Sequence, residues 1–405
     1  SYQGEIKKGA LSHWIYHVYK KGGTGIHAAS KEFKILDKNN KWKNVGMVIW
    51  GLTGSGKSTH GMYIFDKNNC KIFEDRGIDV LNIIKDQYIK NDDIVALFKE
   101  GVFGSEKGAW TKTEDVKKDQ VAIYKAGMSP KALHENTEKD KDGNPSFDGK
   151  ILQYRGLLNR NSRTVMFLED MKPYFNGSVD INFPMNMAVF ISPGYLTDYA
   201  WLKIEDPDFA SAVLAAGRTV GHPAQSTKGI GEEKFSPLYN PFIMGKCCSN
   251  THHVHRFREI IIEINKNAKI DSEKVSCFLI NTTGNIGTEY KWENGEPKPI
   301  FDIIDGKRKP RGGTGPKIEE TEIFLIQAAR DFVKYEPHPF WGEKVLVPIE
   351  VPGIEKERLA KFNPFSYRTK EEMEKLLTHQ IKTIKKVFDK ELKELDKKIY
   401  SSMDF

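Results

Sequence analysis

A mixed α/β fold is what this 405-residue sequence predicts, on three observations. Residues 51–59 read GLTGSGKST and fit the pattern G-x-x-x-x-G-K-[ST], between an apolar run at 45–50 and a helical pattern from Ser58 onward. Short β-rich runs recur at 45–50, 71–73, 164–168, 187–192, 260–264, 277–281 and 345–349. They alternate with Gly-, Asn- and Pro-rich loops and with a few amphipathic helices, which points to mixed sheets rather than a bundle or sandwich. The length suffices for one large core or two ordinary ones, and 39% hydrophobic with 29% charged residues is a globular composition.

The loop at 51–59 carries the chemistry. Its glycines let consecutive N–H groups, and the positive end of the following helix, converge on an anion. Gly51, Leu52, Thr53, Gly54, Ser55, Gly56, Lys57, Ser58 and Thr59 are therefore the expected nucleotide-binding residues. Lys57 would reach the terminal phosphates and the Ser58 hydroxyl would ligate Mg2+. Upstream lie YQGEIKKG at 2–9, with Tyr2, Lys7 and Lys8, and IHAAS at 26–30, with His27. Downstream, Glu74 and Asp75 end the apolar run 71–73, where a second metal-coordinating carboxylate is expected after such a loop. The polar, turn-rich segments 138–148 and 288–311 read as surface excursions. The tail 370–400 spaces its apolar residues as one face of an amphipathic helix.

Taken in order, these motifs resemble those of ATP-type phosphoenolpyruvate carboxykinases: YxGExKKG, a His in a small-residue stretch, GLxGxGK[ST]T and an acidic pair. The resemblance continues with RNSRT (Arg163), STKGIGEEKFSPLYNPF at 226–242, INTTG at 280–284, GGTGPKI at 312–318, EVPGI at 350–354 and FNPFSY at 362–367. It implies a carboxykinase-like nucleotide-binding core with a mobile lid near 222–242. It further implies decarboxylation of oxaloacetate and phosphorylation of the resulting enolate by ATP, giving phosphoenolpyruvate, CO2 and ADP. The family's metal ligands map to Lys8, His27 and Asp75, with Glu74 beside them, for Mn2+ or Mg2+. Lys7, Arg163 and Tyr2 map to substrate binding, with Lys7, Lys8, Lys57 and Arg163 catalytic. Lys228 and Thr321 map to the nucleotide segments. The family's lid arginine is Lys228 here, and its D-T-R triplet, whose arginine serves the nucleotide, is Glu320, Thr321, Glu322. The family's acidic motif DDEHGW keeps only the carboxylates Glu74 and Asp75. The match covers the family's C-terminal two-thirds, so residues 1–45 would link from an N-terminal substrate domain and 46–405 would form the catalytic domain.

Other classes are disfavoured by composition. No apolar run approaches the length of a membrane helix. The net charge of +7 comes from lysines interleaved with acids, without a nucleic-acid-binding motif. Four cysteines make no disulfide framework, and a reducing cytoplasm is the expected compartment. Cys247, Cys248, His252, His253 and His255 lack the spacing of a structural zinc site. Two further readings fit the loop itself: a kinase of related architecture acting on another small molecule or a protein, as HPr kinase does, and a nucleotide-binding regulator without turnover.

Overall fold

The structure, a computed structural model, describes residues 4–52, 55–113, 116–147, 152–154, 157–159, 162–220, 233–235, 249–282, 284–304 and 307–405. Its frame is a ten-stranded mixed sheet. The strands are β1 (Thr24–Leu36), β2 (Trp42–Trp50), β3 (Ile84–Asn91), β4 (Ile94–Phe98), β5 (Gly101–Gly104), β6 (Met187–Ile191), β7 (Trp201–Ile204), β8 (Ser276–Ile280), β9 (Lys334–His338) and β10 (Gly342–Glu350). Their spatial order is β9-β10-β7-β8-β6-β2-β1-β4-β5, with β3 paired to β1. The three strands β2, β6 and β8 are mutually parallel, and all others pair antiparallel. β2, β6 and β8 are almost wholly apolar because helices cover both their faces, the usual condition of parallel strands.

On one face lie α4 (Pro207–Ala215), α5 (Asn250–Asn267) and α7 (Lys370–Glu391), burying Phe209, Phe257, Ile261 and Phe388 against Trp50 and Phe190. On the other face lies α6 (Ile318–Ala329), packing Ile323 and Phe324 on Ile49, Val189 and Phe278. The expected tail helix is α7. Thr369 and Glu372 form its capping box, and Met373, Leu376, Leu377, Ile381, Ile384 and Phe388 are its buried stripe. The segment 138–148 contains the small hairpin Glu138–Lys139/Pro145–Ser146, and 288–311 folds into two hairpins beside the core.

Two expected strands are helical. Residues 260–264 lie inside α5, where Val254, Phe257, Ile260, Ile261 and Ile264 recur at helical spacing on one buried face. The β-branched run masked that period. Residues 71–73 lie in α3 (Cys70–Glu74), a single turn opened by the Asp66 carbonyl accepting from Cys70 N–H at 2.8 Å. β1 and β2 form one antiparallel ladder from Ala28↔Trp50 to Leu36↔Trp42.

The histidines of α5 have structural work. His252 Nδ1 accepts from the Ser249 N–H at 3.1 Å, and His255 Nε2 from the Asp396 N–H at 2.9 Å. His253 Nδ1 lies 2.7 Å from Thr24 Oγ1 in a buried contact. Cys247 and Cys248 are outside the described residues. Burial, then the nearby His252 and Arg256, lowers the His253 imidazole to about 4. Its folded value lies below its unfolded one, near 6.5. That contribution is complete above pH 6.5 and lost as pH falls toward 4. We expect the melting temperature to drop between pH 7 and 5, and His253→Gln to flatten the drop, read by calorimetry across pH.

Candidate functional site

The carboxyl ends of β2, β6 and β8 open on one edge of the sheet, where ligands of parallel α/β sheets bind. The loop after β2 is the GLTGSGKST segment. Gly56 adopts φ +98, which glycine tolerates without strain, and a Cβ on Gly51 would stand 2.4 Å from Ser55 Oγ. The short helix α2 (Lys57–Gly61) follows directly, so the loop's backbone and the helix start face one space. Thr282, just beyond β8, donates its hydroxyl to the Ser55 carbonyl and pins the loop from the side. Ser55 Oγ is buried without a hydrogen-bond partner among the described residues. An orphaned hydroxyl beside a glycine-lined cradle suits an oxygen-rich ligand such as a phosphate chain. Thr53 and Gly54 lie outside the described residues, and Thr59 is half-buried on α2.

β1 runs antiparallel to β2, so its first residues arrive at the edge where β2 ends. There His27 pairs with Ile94 of β4, next to Asp93 in the β3–β4 turn. Helix α1 (Gly4–Lys20) packs Leu11 and Ile15 on Ile94 and delivers Lys7 to the same place. Two adjacent carboxylates then divide the work. Asp92 Oδ2 accepts from Ser58 Oγ at 2.8 Å and from Thr111 Oγ1 at 3.5 Å, while its Oδ1 lies 3.3 Å from Lys57 Nζ. Lys57 also donates to the Asp92 carbonyl. Asp93 lies 2.6 Å from Lys7 Nζ and 3.2 Å from His27 Nε2. Glu106 completes the group at 2.7 Å from Lys7, whose ammonium also sits 5.1 Å from the Trp110 ring centre.

Burial alone would raise the Asp93 carboxyl, but the His27 hydrogen bond and the charges of His27, Lys7 and Lys57 hold it well below the usual range. Burial would likewise lower Lys7, and its two carboxylates reverse this and raise it. Glu106 is pushed up by burial despite Lys7. The pocket thus keeps an ionised carboxylate among cations.

The acidic pair expected at Glu74 and Asp75 is elsewhere. Both are exposed at the end of α3, and the carboxylates facing Lys57, Ser58 and His27 are Asp92 and Asp93. The literal doublet Asp92-Asp93 opens an apolar run and fits the family's DDEHGW better than Glu74-Asp75; that doublet was the available signal. Lys7 is the described lysine at Asp93, and the Lys8 side chain lies outside the described residues. Thr321 is turned into the core, its hydroxyl accepting from Trp201 Nε1 at 3.4 Å, because α6 buries that face. Arg163 begins strand Arg163–Phe167 and pairs with Lys112, the residue after Thr111. Tyr2 and Lys228 lie outside the described residues. So does the segment 222–242 expected to form a lid, apart from Glu233–Phe235, which pairs with Arg218–Val220.

Among the described residues, no group of three or more His, Cys, Asp or Glu side chains is placed to hold a metal ion. The donor sets do fit metals when other atoms are counted. Ser58 and Asp92 offer the hard oxygens that Mg2+ prefers. His27 and Asp93 offer an imidazole and a carboxylate, and Lys7 beside them is an ion-paired ammonium that could ligate only after losing its proton.

Residues 1–192 match the family model of phosphoenolpyruvate carboxykinase. Phosphoenolpyruvate carboxykinase (ATP) of Aeropyrum pernix is 30% identical over 193 residues, which cover 47% of this chain and 35% of that protein. The protein of the same name from Wigglesworthia glossinidia brevipalpis is 28% identical over 163 residues, covering 40% of this chain and 24% of its own length. The carboxykinase resemblance therefore holds for the part of the chain that contains α1, His27, the phosphate loop, Asp92, Asp93 and Arg163. The matched stretch spans about a third of the first relative and about a quarter of the second.

Asp93→Ala is expected to abolish stabilisation by Mn2+, which amounts to about 2.7 kcal/mol at a hundredfold excess over Kd. Asp75→Ala should leave it intact. Thermal melts with and without MnCl2 decide between the two carboxylates.

Proposed function

We propose that this chain carries the nucleotide- and metal-binding centre of an ATP-dependent phosphoenolpyruvate carboxykinase. The observation that carries the reading is the split of one acidic doublet: Asp92 serves Ser58 and Lys57, and Asp93 serves His27 and Lys7. A nucleotide kinase needs the first half alone; a reaction that must also stabilise an enolate has use for the second. The family match over residues 1–192 supports the same reading.

In this reading the backbone N–H groups of the loop at 51–59 hold the β- and γ-phosphates, and Lys57 swings from Asp92 to the transferring phosphoryl group. Ser58 and Asp92 hold the Mg2+ that accompanies ATP. His27, Asp93 and a lysine of the 7–8 pair hold Mn2+ or Mg2+, which supplies Lewis-acid stabilisation for the charge left when CO2 departs. A lysine serves there only as the free amine, so occupancy of that site expels a proton. Arg163 offers a planar fork for a substrate carboxylate. By the resemblance, the segment 222–242 corresponds to that family's lid, whose part would be to keep water from the enolate. The reading takes small-molecule substrates and a cytoplasmic setting; among the described residues no helix is long and apolar enough to cross a membrane.

The test is oxaloacetate- and ATP-dependent formation of phosphoenolpyruvate by the full-length protein with Mg2+ and Mn2+. Lys57→Ala should cut turnover about 100-fold or more, the scale for losing a cation at a transferring phosphoryl group. His27→Gln should remove decarboxylation while leaving MgADP binding within a few-fold. Nucleotide binding without turnover in the intact protein would overturn the carboxykinase assignment.

A further inference from the structure

Behind the phosphate loop, three ionisable side chains from three elements meet inside the apolar cluster of Ile49, Tyr63, Phe65, Ile323 and Phe324. Lys31 comes from β1, His60 from α2 and Glu322 from α6. Their side chains are 4%, 2% and 1% exposed. His60 Nδ1 lies 2.7 Å from Glu322 Oε1, Lys31 Nζ lies 3.7 Å from Glu322 Oε2, and Lys31 Nζ donates to the His60 carbonyl at 2.8 Å. Burial lowers the Lys31 ammonium, and Glu322 offsets part of that shift.

Burying such groups is expensive, and apolar side chains of similar size would pack this space at lower cost. What the polar set adds is direction. Helix α2 has five residues, too few to hold its own geometry. Its start carries Lys57 and Ser58, and its last turn is gripped twice: the His60 imidazole by Glu322 and the His60 carbonyl by Lys31. Gly61 closes the contact, since a Cβ there would lie 2.4 Å from the Ala29 methyl. Lys57 and His60 are three residues apart, so they stand on neighbouring positions of one turn, and a rotation at His60 displaces Lys57. Glu322 therefore points at the loop's helix.

We infer that Glu322, acting through His60, is a positioning residue that fixes the orientation of the phosphate loop's helix and so sets nucleotide affinity. This rests on the nucleotide-binding reading above. With the carboxylate ionised, Nδ1 carries the proton and donates, and the ring cannot turn without losing that bond. A glutamine at 322 keeps an oxygen acceptor at the same reach, whereas a leucine at 60 removes the bond but leaves the Lys31–Glu322 pair in place.

The test is calorimetric titration of the full chain with MgADP, well below the melting temperature of each variant. His60→Leu is expected to raise Kd at least tenfold, and Glu322→Gln to stay within about threefold of wild type. If His60→Leu does not fold, the double variant Lys31→Met/Glu322→Leu, which leaves no buried charge unpaired, is read in its place with the same expectation. A folded His60→Leu with a lower melting temperature but an unchanged Kd overturns the inference, because a purely structural contact would behave that way. Failure of the wild type to bind MgADP overturns the nucleotide reading itself, and this inference with it.

Discussion

The turn between β3 and β4 places two adjacent carboxylates on different partners, and the rest of the site is arranged around that turn. Its backbone is fixed twice: the Asp93 carbonyl accepts from Ala28 N–H at 2.9 Å, and the Asp93 N–H donates to Asn91 Oδ1 at 3.0 Å. The two side chains leave this bend in different directions, as their partners show. One doublet can therefore reach the phosphate loop with Asp92 and the α1–β1 corner with Asp93. Asp92 could not be stripped of its cation cheaply, since an unpaired buried charge costs about 3–5 kcal/mol.

Sheet topology supplies the corner. β2, β6 and β8 end side by side, giving the loop at 51–59, Ser192 and Thr282 a common edge. β1 returns antiparallel to β2 and so delivers His27 to that edge from the opposite chain direction. α1 then needs only its Leu11 and Ile15 contacts with Ile94 to set Lys7 over Asp93. The family match ends at residue 192, one residue beyond β6. Every acid, lysine and histidine described at the site lies within it. The parts that brace the loop, Thr282 and Glu322, lie beyond it.

The inner network of Lys31, His60 and Glu322 and the outer group of Lys7, His27 and Asp93 use buried charge differently. In the outer group the charges are partly open to solvent, with side chains 13–23% exposed, as a site that must exchange ligands requires. In the inner network they are sealed, and their interactions orient a helix instead of meeting a ligand.

The amino-acid sequence by itself determined the phosphate loop, since G-x-x-x-x-G-K-[ST] is a local device: glycine conformations, a lysine and a hydroxyl at fixed offsets. It also determined the strands around 45–50, 187–192 and 277–281 and the tail helix, whose apolar periods are local. Only the tertiary structure decided which acids face the loop. Glu74-Asp75 and Asp92-Asp93 are both acidic pairs after the motif, and what separates them is that one caps an exposed helical turn while the other sits in a strand turn hydrogen-bonded to β1. The same holds for Thr321 and Glu322. Their neighbours across the core come from residues 120 and 262 positions away, a separation no local pattern encodes.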